Sequence, residues 1–465
     1  MPASHAVHQF ADRLSLDAGV EPYRAERWTP AAADRRVLHL EDVSAIPFLT
    51  EIVGVEEYQH RARVRAAERD LYATVTPPDP DYETYCRQRL QLGEVRWLAV
   101  DAGDTPLAIA RGCTADDTFD QLVGAARAAH GLTIHPYMST EEVWTLARRV
   151  GGAAGVPVSV LGPPPPVTWI ANDKALFAEL VELVLGPGWM PEAQAATNAD
   201  RCAETLLALA ARHARVGLKR TRCASGTGNL VFDSAQLLAR TPSATGVAVR
   251  EFLDRTNWAA PEPVLVVAWE QAVASPSTQW WIPTPADGPP RLDGIYEQIL
   301  EGEERLFVGS RPSTLPVPVN RTLAASSGQV AGALQALGYV GRCSFDHLVL
   351  GEPRGEFTVR FTECNGRWGG TSTPMHLVDR VVAGPRPRYR AQDFVHERLL
   401  SVAFGELLER VGAAAVDART QTGRYIFYNV GPLAGCGKLD VIALGATQAE
   451  AEQAMLADLP RLLGL

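Results

Sequence analysis

The chain of 465 residues is predicted to combine an α/β domain with α+β lobes, and three observations support this fold class. Its length corresponds to about three domains. Strand-like and helix-like runs alternate along the first third, a pattern typical of a parallel sheet covered by helices. Hairpin signals between helical runs follow in the rest of the chain, a pattern typical of α+β domains.

The first third is expected to form one α/β domain over residues 1–165. Four consecutive prolines at 163–166 favour a stiff, extended spacer, so the domain boundary is placed there. Strands are predicted at 36–40, 95–100 and 156–160, and helices at 117–130 and 140–150.

Three further units are predicted after this boundary. They are a lobe with a Gly-rich loop (166–262), a lobe that carries a β-hairpin (263–385) and a C-terminal α+β extension packed on the others (386–465). Within them we expect helices at 175–185, 324–337, 392–412 and 447–463, strands at 424–429 and 438–443, and a basic linker at 384–390.

Composition excludes several classes of protein. The formal charge of -10 argues against a nucleic-acid partner, because phosphate binding needs clustered Lys and Arg. The N-terminus does not resemble a signal peptide, and no apolar stretch approaches the ~18 residues of a membrane span. The seven cysteines are scattered without a Cys-x-x-Cys pair, which favours reduced thiols and a cytoplasmic protein. The motifs of P-loop, dinucleotide-binding, serine-hydrolase and zinc-protease sites are absent.

The segment Glu363-Cys364-Asn365-Gly366-Arg367 is the most informative one in the chain. It follows a strand-like run, and side chains two apart on a strand share a face, so Glu363 and Asn365 should face one way and Cys364 the other. Carboxylate and amide oxygens are the ligands that Mg²⁺ prefers. Arg367 is placed to reach a negatively charged reacting group.

A third acidic residue is predicted to join this site through a hairpin. The run from Gly341 to Leu350 and the run from Phe357 are separated by turn residues centred on Arg354 and Gly355. That register places Asp346 opposite Glu363, about 5 Å away at Cβ, whereas a slip of one residue would separate them. Arg342 shares the face of Asp346 and is a weaker candidate for the same pocket.

These residues resemble a known family. The pattern Gly338-Tyr339-x-Gly341, then Asp346, then Glu363-x-Asn365-x-Arg367 is similar to the metal-binding end of ATP-grasp ligases. The sequence of residues 362–371 is most similar to that of peptide ligases of the pheganomycin type. The resemblance covers about 165–375. It implies the ATP-grasp fold, in which two α+β lobes clasp ATP, preceded by an α/β pre-ATP-grasp domain.

The resemblance also implies the nucleotide-binding residues. Lys174, at a helix start that Asn172 is expected to cap, and Lys219, on a short strand, would contact phosphates. The loop after Lys219 would close over them as a lid. Its residues are Ser225, Gly226, Thr227, Gly228 and Asn229.

The adenine is expected at the end of the apolar strand 264–269. Glu270 and the main chain just after it, at Gln271 and Val273, would meet the adenine edge. The family's acidic ribose ligand has no counterpart in 274–278, so Ser277 and the surroundings of Glu297 stay open as ribose contacts.

The implied activity is an ADP-forming ligation of a carboxylate to an amine through an acyl phosphate, with ATP and one or two Mg²⁺ ions, for which Mn²⁺ can substitute. Asp346, Glu363 and Asn365 would bind the metal, and Arg367, with Arg342, would act on the reacting phosphoryl group. The substrates would be a nonproteinogenic amino-acid-like acid and the amine of a peptide or amino acid, in natural-product assembly. Two alternatives remain open: a phosphotransferase with a hydroxyl acceptor and a nucleotide-binding regulator. A homodimer is also left open.

Overall fold

The computed structural model describes residues 2–47, 52–103, 105–223, 228–302 and 306–465. Its strands form a five-stranded, a four-stranded and an eight-stranded sheet. The five-stranded sheet has the order β3-β2-β1-β4-β5, and all of its neighbouring strands are parallel. Its strands are β1 (Val37–Leu40), β2 (Leu71–Thr74), β3 (Arg96–Ala99), β4 (Leu132–Pro136) and β5 (Val158–Val160).

The predicted alternation in the first third is confirmed, because β1, β3, β5 and the helices Asp116–Ala128 and Glu141–Ala154 overlap the predicted runs, whereas β2, β4 and the other helices of this part were not predicted. A long 3₁₀ helix, Val55–Val64, adds an element that the periodicity did not indicate. The helices of this part are α1 (Pro2–Arg13), α2 (Leu16–Val20), α3 (Pro80–Gln88), α4 (Ile109–Gly112), α5 (Asp116–Ala128) and α6 (Glu141–Ala154).

The N-terminal helices do not pack on the parallel sheet. Val7 and Phe10 of α1 and Val20 of α2 are buried in a core that also contains Phe177 and Phe345, far along the chain. The predicted unit 1–165 is therefore not one compact body, because its first twenty residues complete the core of a later lobe.

The proline-rich run is not an extended spacer. Pro165 and Pro166 are the first two residues of helix α7 (Pro165–Asn172). Proline is tolerated in the first turn because the N–H that it lacks has no acceptor within the helix there. The prediction from composition was therefore wrong for the second half of the run.

The four-stranded sheet is antiparallel and has the order β6-β9-β7-β8. Strand β9 follows the predicted boundary at 262, so this lobe extends to residue 268. Its elements are helix α8 (Lys174–Leu185), β6 (Ala193–Ala196), α9 (Ala199–Ala210), β7 (Arg215–Arg220), β8 (Asn229–Asp233), α10 (Ser234–Leu238), α11 (Pro242–Arg255) and β9 (Val264–Ala268).

The eight-stranded sheet is also antiparallel, with the order β14-β13-β10-β11-β12-β15-β17-β16. Its strands are β10 (Pro276–Ile282), β11 (Arg291–Glu301), β12 (Leu306–Pro312), β13 (Gly341–Gly351), β14 (Phe357–Asn365), β15 (Arg388–Val395), β16 (Tyr425–Tyr428) and β17 (Lys438–Gly445). The associated helices are α12 (Val317–Ala336), α13 (Ser372–Val381), α14 (Phe404–Val411), α15 (Leu433–Cys436), α16 (Gln448–Gln453) and α17 (Leu459–Leu463), with a π-helical turn at Ala454–Asp458.

The predicted helix at 392–412 was wrong, and so was the linker before it. Strand β15 occupies Arg388–Val395 and pairs with both β12 and β17, and only α14 is helical after it. Tyr389 and Ala391 alternate into the core, which is the strand period rather than the helix period. The C-terminal segment therefore continues the sheet of the preceding lobe.

Apolar contacts also join the N-terminal third of the chain to the C-terminal segment. Tyr82 and Tyr85 of α3 pack edge-on against Phe404 of α14, in one core with Phe427 of β16. Within the described ranges, no helix is long and apolar enough to cross a membrane.

Candidate functional site

A cavity of about 960 Å³ is lined by residues of both antiparallel sheets and of the N-terminal region. We divide its lining into three sections, two named by charged groups and the third by its distance from them. The lysine section contains Lys174, Lys219, Asn229, Leu265 and Glu270; the carboxylate section contains Ser277, Asp346, Glu363, Asn365 and Arg367; the far section contains Tyr58, Arg61, Tyr137, Asp393, Tyr428 and Asp440.

The hairpin of β13 and β14 builds the carboxylate section. Asp346 pairs with Glu363, as the sequence predicted, and Cys364 faces the opposite side, buried in the core with Phe345. The register shifts between Asp346 and His347, which pairs with Phe361. Thr362 is thus the extra residue of a β-bulge, and it is this bulge that brings the two carboxylates opposite each other.

Asp346 and Glu363 differ in their electrostatic surroundings. Burial and the neighbouring Glu363 carboxylate raise the pKa of Asp346 to about 6, although Asn365 Nδ2 donates a hydrogen bond to its Oδ2 at 2.9 Å. Burial opposes ionisation of Glu363 as well, but the ammonium groups of Lys174 and Lys219 outweigh it and hold the pKa of Glu363 below its usual value. The section thus contains one readily ionised carboxylate beside one that needs a nearby cation.

Lys174 crosses from the first turn of α8 to this hairpin. Its Nζ lies 2.9 Å from Oε2 of Glu363 and 3.1 Å from the carbonyl oxygen of Cys223. The helix is capped by Asp173, whose carboxylate accepts from the N–H groups of Ala175 and Leu176, so the expected cap by Asn172 was wrong. A lysine at this unfavourable end of a helix dipole is stabilised by its carboxylate partner.

Asn172 has a different role, which sequence reasoning missed. Its Oδ1 accepts hydrogen bonds from the backbone N–H of Gly366 and from the guanidinium of Arg367, both at 3.1 Å. Arg367 lines the cavity as predicted, and Asn172 fixes its position there. Because the two residues are nearly two hundred positions apart, no local pattern could have shown this contact.

Lys219 places a second ammonium group in the lysine section. Its Nζ lies 4.8 Å from the centre of the Trp269 ring, a cation–π arrangement. Burial lowers the pKa of Lys219, and the nearby Lys174 lowers it further. An anionic ligand would relieve this repulsion, so the lysine section is suited to bind negatively charged groups.

The loop after Lys219 is described only in part. Ser225, Gly226 and Thr227 lie outside the described residues. Asn229 opens β8 opposite Lys219, and its buried Oδ1 has no hydrogen-bond partner among the described residues. A Cβ at Gly228 would meet Sγ of Cys223 at 2.7 Å, so only glycine fits here without displacement.

The residues predicted around the adenine are not all brought to the cavity. Glu270 lines it and forms an ion pair with Arg360 at 2.5 Å, and burial raises the pKa of Glu270. Gln271 is exposed, and the Val273 side chain is 58% exposed while its N–H donates to Val349. Neither residue belongs to the described lining, because the chain leaves the cavity to pair with β13.

The two residues considered for ribose differ in the same way. Ser277 lines the carboxylate section, beside Asp346 on the neighbouring strand. The carboxylate of Glu297 instead accepts from Thr314 and pairs with Arg311, outside the described lining.

Arg342 does not reach the cavity, contrary to its proposed role beside Arg367. Its guanidinium pairs with Asp293 at 2.5 Å and lies 5.5 and 5.4 Å from the centres of the Trp281 and Trp368 rings. Arg342 does share the face of Asp346, but four residues along a strand span roughly 13 Å. The shared face was therefore not sufficient to bring the two side chains together.

The carboxylate section has the donor chemistry of a site for a hard cation. Two carboxylates and the Asn365 amide face one another, and such oxygens suit Mg²⁺. Among the described residues, no group of three or more His, Cys, Asp and Glu side chains is placed to hold a metal. The protein supplies few ligands here, which is typical of Mg²⁺ sites completed by waters and phosphates.

Comparison with known proteins agrees with this architecture. Residues 59–152 match the family model described as the Pre ATP-grasp domain. No curated protein matches the chain.

Solved structures match nearly the whole chain. N5-carboxyaminoimidazole ribonucleotide synthetase from Thermus thermophilus is 14% identical with a TM-score of 0.54, covering 92% of this chain and 99% of its own. Carboxyaminoimidazole ribonucleotide synthase from Aspergillus clavatus, solved with ATP, is 12% identical with a TM-score of 0.54, covering 92% and 98%. The chain has the ATP-grasp fold, preceded by a pre-ATP-grasp domain.

A third match has a bound nucleotide and metal. The biotin carboxylase domain of the Hydrogenobacter thermophilus 2-oxoglutarate carboxylase, solved with MgADP, ADP and bicarbonate, is 12% identical with a TM-score of 0.51, covering 92% of this chain and 93% of its own. At these identities the matches show the fold alone.

The environment of Arg342 predicts a structural role. Arg342→Met should lower the free energy of unfolding by about 1–3 kcal/mol, because a buried, charge-assisted hydrogen bond to Asp293 is lost. Thermal unfolding followed by circular dichroism measures the change, with Arg354→Met at the exposed hairpin turn as the control. An unchanged melting temperature in Arg342→Met would contradict this role.

Proposed function

We propose that this protein is an Mg²⁺- and ATP-dependent ligase that joins a carboxylic acid to an amine through an acyl phosphate. The observation that carries the proposal is the ion pair of Lys174 with Glu363 opposite Asp346, in one cavity with Lys219 and Arg367. Such a cluster combines cations for phosphate binding with oxygen ligands for a metal. Solved proteins of this fold hold ATP or MgADP.

The nucleotide is assigned to the lysine section. Ala195, Leu265 and Val267 give this section apolar walls that suit an adenine ring, and Glu270 offers a carboxylate at their edge. Lys174 and Lys219 supply two positive charges for the phosphates. Lys174 forms an ion pair with Glu363, so nucleotide binding would transfer its ammonium group from a carboxylate to a phosphate.

Magnesium is assigned to Asp346, Glu363 and Asn365, with Mn²⁺ as a substitute. When bound, one or two Mg²⁺ ions would neutralise phosphate charge and orient the terminal phosphoryl group. Asp346 would ionise fully in the presence of the cation, because the cation's charge would offset the burial and the Glu363 carboxylate that raise the pKa of Asp346. Arg367, fixed by Asn172, would stabilise charge on the transferred phosphoryl group.

With ATP and Mg²⁺ bound at these residues, the proposed ligation takes two steps. The substrate carboxylate attacks the γ-phosphorus of ATP, the bond to the β,γ-bridging oxygen breaks, and ADP leaves. The amine then attacks the acyl carbon of the acyl phosphate, and phosphate leaves with the bonding electron pair. The amine loses one proton to solvent, so the products are an amide, ADP and phosphate.

For the substrates we propose a nonproteinogenic amino-acid-like acid and the amine of a peptide or amino acid, in natural-product assembly. This part depends on the resemblance of residues 362–371 to pheganomycin-type peptide ligases. The size of the cavity, about 960 Å³, is compatible with a nucleotide and further substrates together. A cytoplasmic location and a homodimer remain predictions.

A phosphotransferase with a hydroxyl acceptor is the second candidate, because the same lysine and carboxylate sections could direct a phosphoryl group to an alcohol. The two activities differ in their requirements. A ligase releases ADP only with a carboxylic acid, and hydroxylamine traps its intermediate as a hydroxamate. A phosphotransferase releases ADP with an alcohol alone and gives a phosphate ester.

A screen of acid and amine pairs tests the proposal. ADP release and product mass are measured for each pair, with hydroxylamine replacing the amine in a parallel series. We expect ADP, phosphate and an amide, and a hydroxamate with hydroxylamine. AMP and pyrophosphate as products, or ADP release without an acid, would overturn the acyl-phosphate mechanism.

Glu363 provides a direct test of the metal assignment. Glu363→Ala should reduce turnover at saturating MgATP by at least about a hundredfold, because one of two metal-binding carboxylates is lost. Glu356→Ala, exposed in the turn of the same hairpin, is the matched control and should keep full activity. Normal turnover in Glu363→Ala with an unchanged far-UV spectrum would exclude Glu363 as an essential ligand.

Lys219 tests the assignment of the lysine section. Lys219→Ala should weaken ATP binding roughly 10- to 100-fold, the value of a charge-assisted hydrogen bond. Lys219→Arg should restore binding only in part, because the planar guanidinium differs in shape from the ammonium. Calorimetric titration with ATP gives the affinities, and Arg215→Ala, exposed on the same strand, is the control. Equal affinities in all variants would remove Lys219 from the nucleotide site.

A further inference from the structure

The far section of the cavity contains two carboxylates that the proposed ligation does not use. Asp393 on β15 and Asp440 on β17 are directly opposite each other across the two strands, and both line the cavity. Lys438 forms an ion pair with Asp393. Its Nζ lies 2.7 Å from Oδ2 of Asp393 and donates to the Tyr58 hydroxyl at 2.7 Å.

Asp440 is left with an unsatisfied oxygen. Its side chain is nearly inaccessible, at 4% exposure for the residue, and its Oδ2 accepts a hydrogen bond from Asn429 Nδ2 at 3.0 Å. Oδ1 of Asp440 has no hydrogen-bond partner among the described residues, and neither does Oδ1 of Asn429. Burial, and then the Asp393 carboxylate, raise the pKa of Asp440 well above its usual value.

The neighbouring cation does not fill this gap. Arg61 forms an ion pair with Glu41 at 2.8 Å and lies 4.2 Å from the centre of the Tyr58 ring. Both orphaned atoms, on Asp440 and Asn429, are acceptors, so the group that complements them must donate hydrogen bonds. The Lys438 ammonium, 2.7 Å from Asp393, would repel a divalent metal ion more strongly than a singly charged group, which favours an organic cation.

The distance between Asp440 and the carboxylate section indicates which part of a substrate Asp440 can contact. The strand pairing places Asp440 on the same face of the eight-stranded sheet as Asp346, with five strand-to-strand steps between β13 and β17. At ~4.8 Å per step, the path along the sheet is about 24 Å. A group bound at Asp440 is therefore distant from the carboxylate section, where the new bond would form.

We propose that Asp393 and Asp440, the latter positioned by Asn429, form a subsite for a protonated amine that one of the substrates carries at a position remote from the bond being formed. This inference rests on the proposed function, which makes the cavity the site of both substrates. The rings of Tyr58, Tyr137 and Tyr428, which line the same section, would contact the apolar stem of that group. The subsite would select substrates with a cationic end over uncharged ones of the same length.

Binding of matched probes tests this subsite without turnover. L-Lysinamide and L-norleucinamide differ chiefly in the side-chain ammonium and represent the amine substrate. N-acetyl-L-lysine and N-acetyl-L-norleucine make the same comparison for the acid. Calorimetric titration of each probe into the protein with MgADP should show that the lysine member of at least one pair binds at least about tenfold more tightly, since the buried carboxylate pairs with its ammonium. The pair that discriminates identifies the substrate that carries the cation.

Variants connect that preference to the two aspartates. Asp440→Asn preserves the shape and an acceptor for Asn429, and it should reduce the preference to less than about threefold while the affinity for MgADP stays unchanged. Asp393→Asn removes the partner carboxylate and should weaken the preference as well. Glu406→Gln, an exposed carboxylate on α14, is the control and should keep it. Equal binding of both members of each pair to the unaltered protein, or a preference that survives Asp440→Asn, would overturn the inference.

Failure of the inference can be separated from failure of the proposed function. Hydroxylamine is largely uncharged at neutral pH and needs no cation subsite. Formation of a hydroxamate without any preference for the lysine probes would support the ligase activity and exclude the subsite. A preference without ADP release would retain the subsite and exclude the ligase.

Discussion

The opposition of Asp346 and Glu363 across one hairpin is the constraint on which the rest of the site depends. Two carboxylates at this separation repel unless a cation or a proton compensates them. Lys174 compensates the charge of Glu363, and the raised pKa of Asp346 indicates that the charge of Asp346 is only partly stabilised. Helix α8 begins at Lys174, so the ion pair with Glu363 holds the start of this helix against the hairpin. The same end of the helix lines the lysine section.

The loop after this hairpin links the site to the N-terminal domain. The backbone N–H of Trp368 donates to the carbonyl of Tyr137, and its indole N–H donates to Nε2 of His135. Burial holds the pKa of His135 far below its usual value, so the ring stays neutral and keeps an acceptor nitrogen for the indole. Arg367 is thereby held from two sides, by Asn172 and through Trp368. The parallel-sheet domain contributes directly to the site's geometry.

Charge is distributed unevenly along the cavity. The lysine section has two ammonium groups, one of them paired with Glu363, whereas the far section has the carboxylates of Asp393 and Asp440 beside Arg61 and Lys438. With the proposed amine subsite at Asp440, a substrate with an anionic end and a cationic end would bind in one orientation. The eight-stranded sheet makes this polarity possible, since its C-terminal strands continue the surface on which Asp346 lies.

The sequence by itself determined the features that depend on neighbouring residues. Strand alternation and the turn residues were enough to predict the hairpin and the pairing of Asp346 with Glu363, although that pairing is completed by the bulge at Thr362, which the sequence did not indicate. Hydrophobic periodicity located part of the strands and helices. Tertiary structure decided what depends on contacts between distant segments: the strand at 388–395 in place of a helix, the position of Arg342 away from the cavity, the hold of Asn172 on Arg367, and the far section. The physical reason is that periodicity indicates which face of a helix or strand is buried. Which other element packs against that face depends on packing and charge across the whole chain.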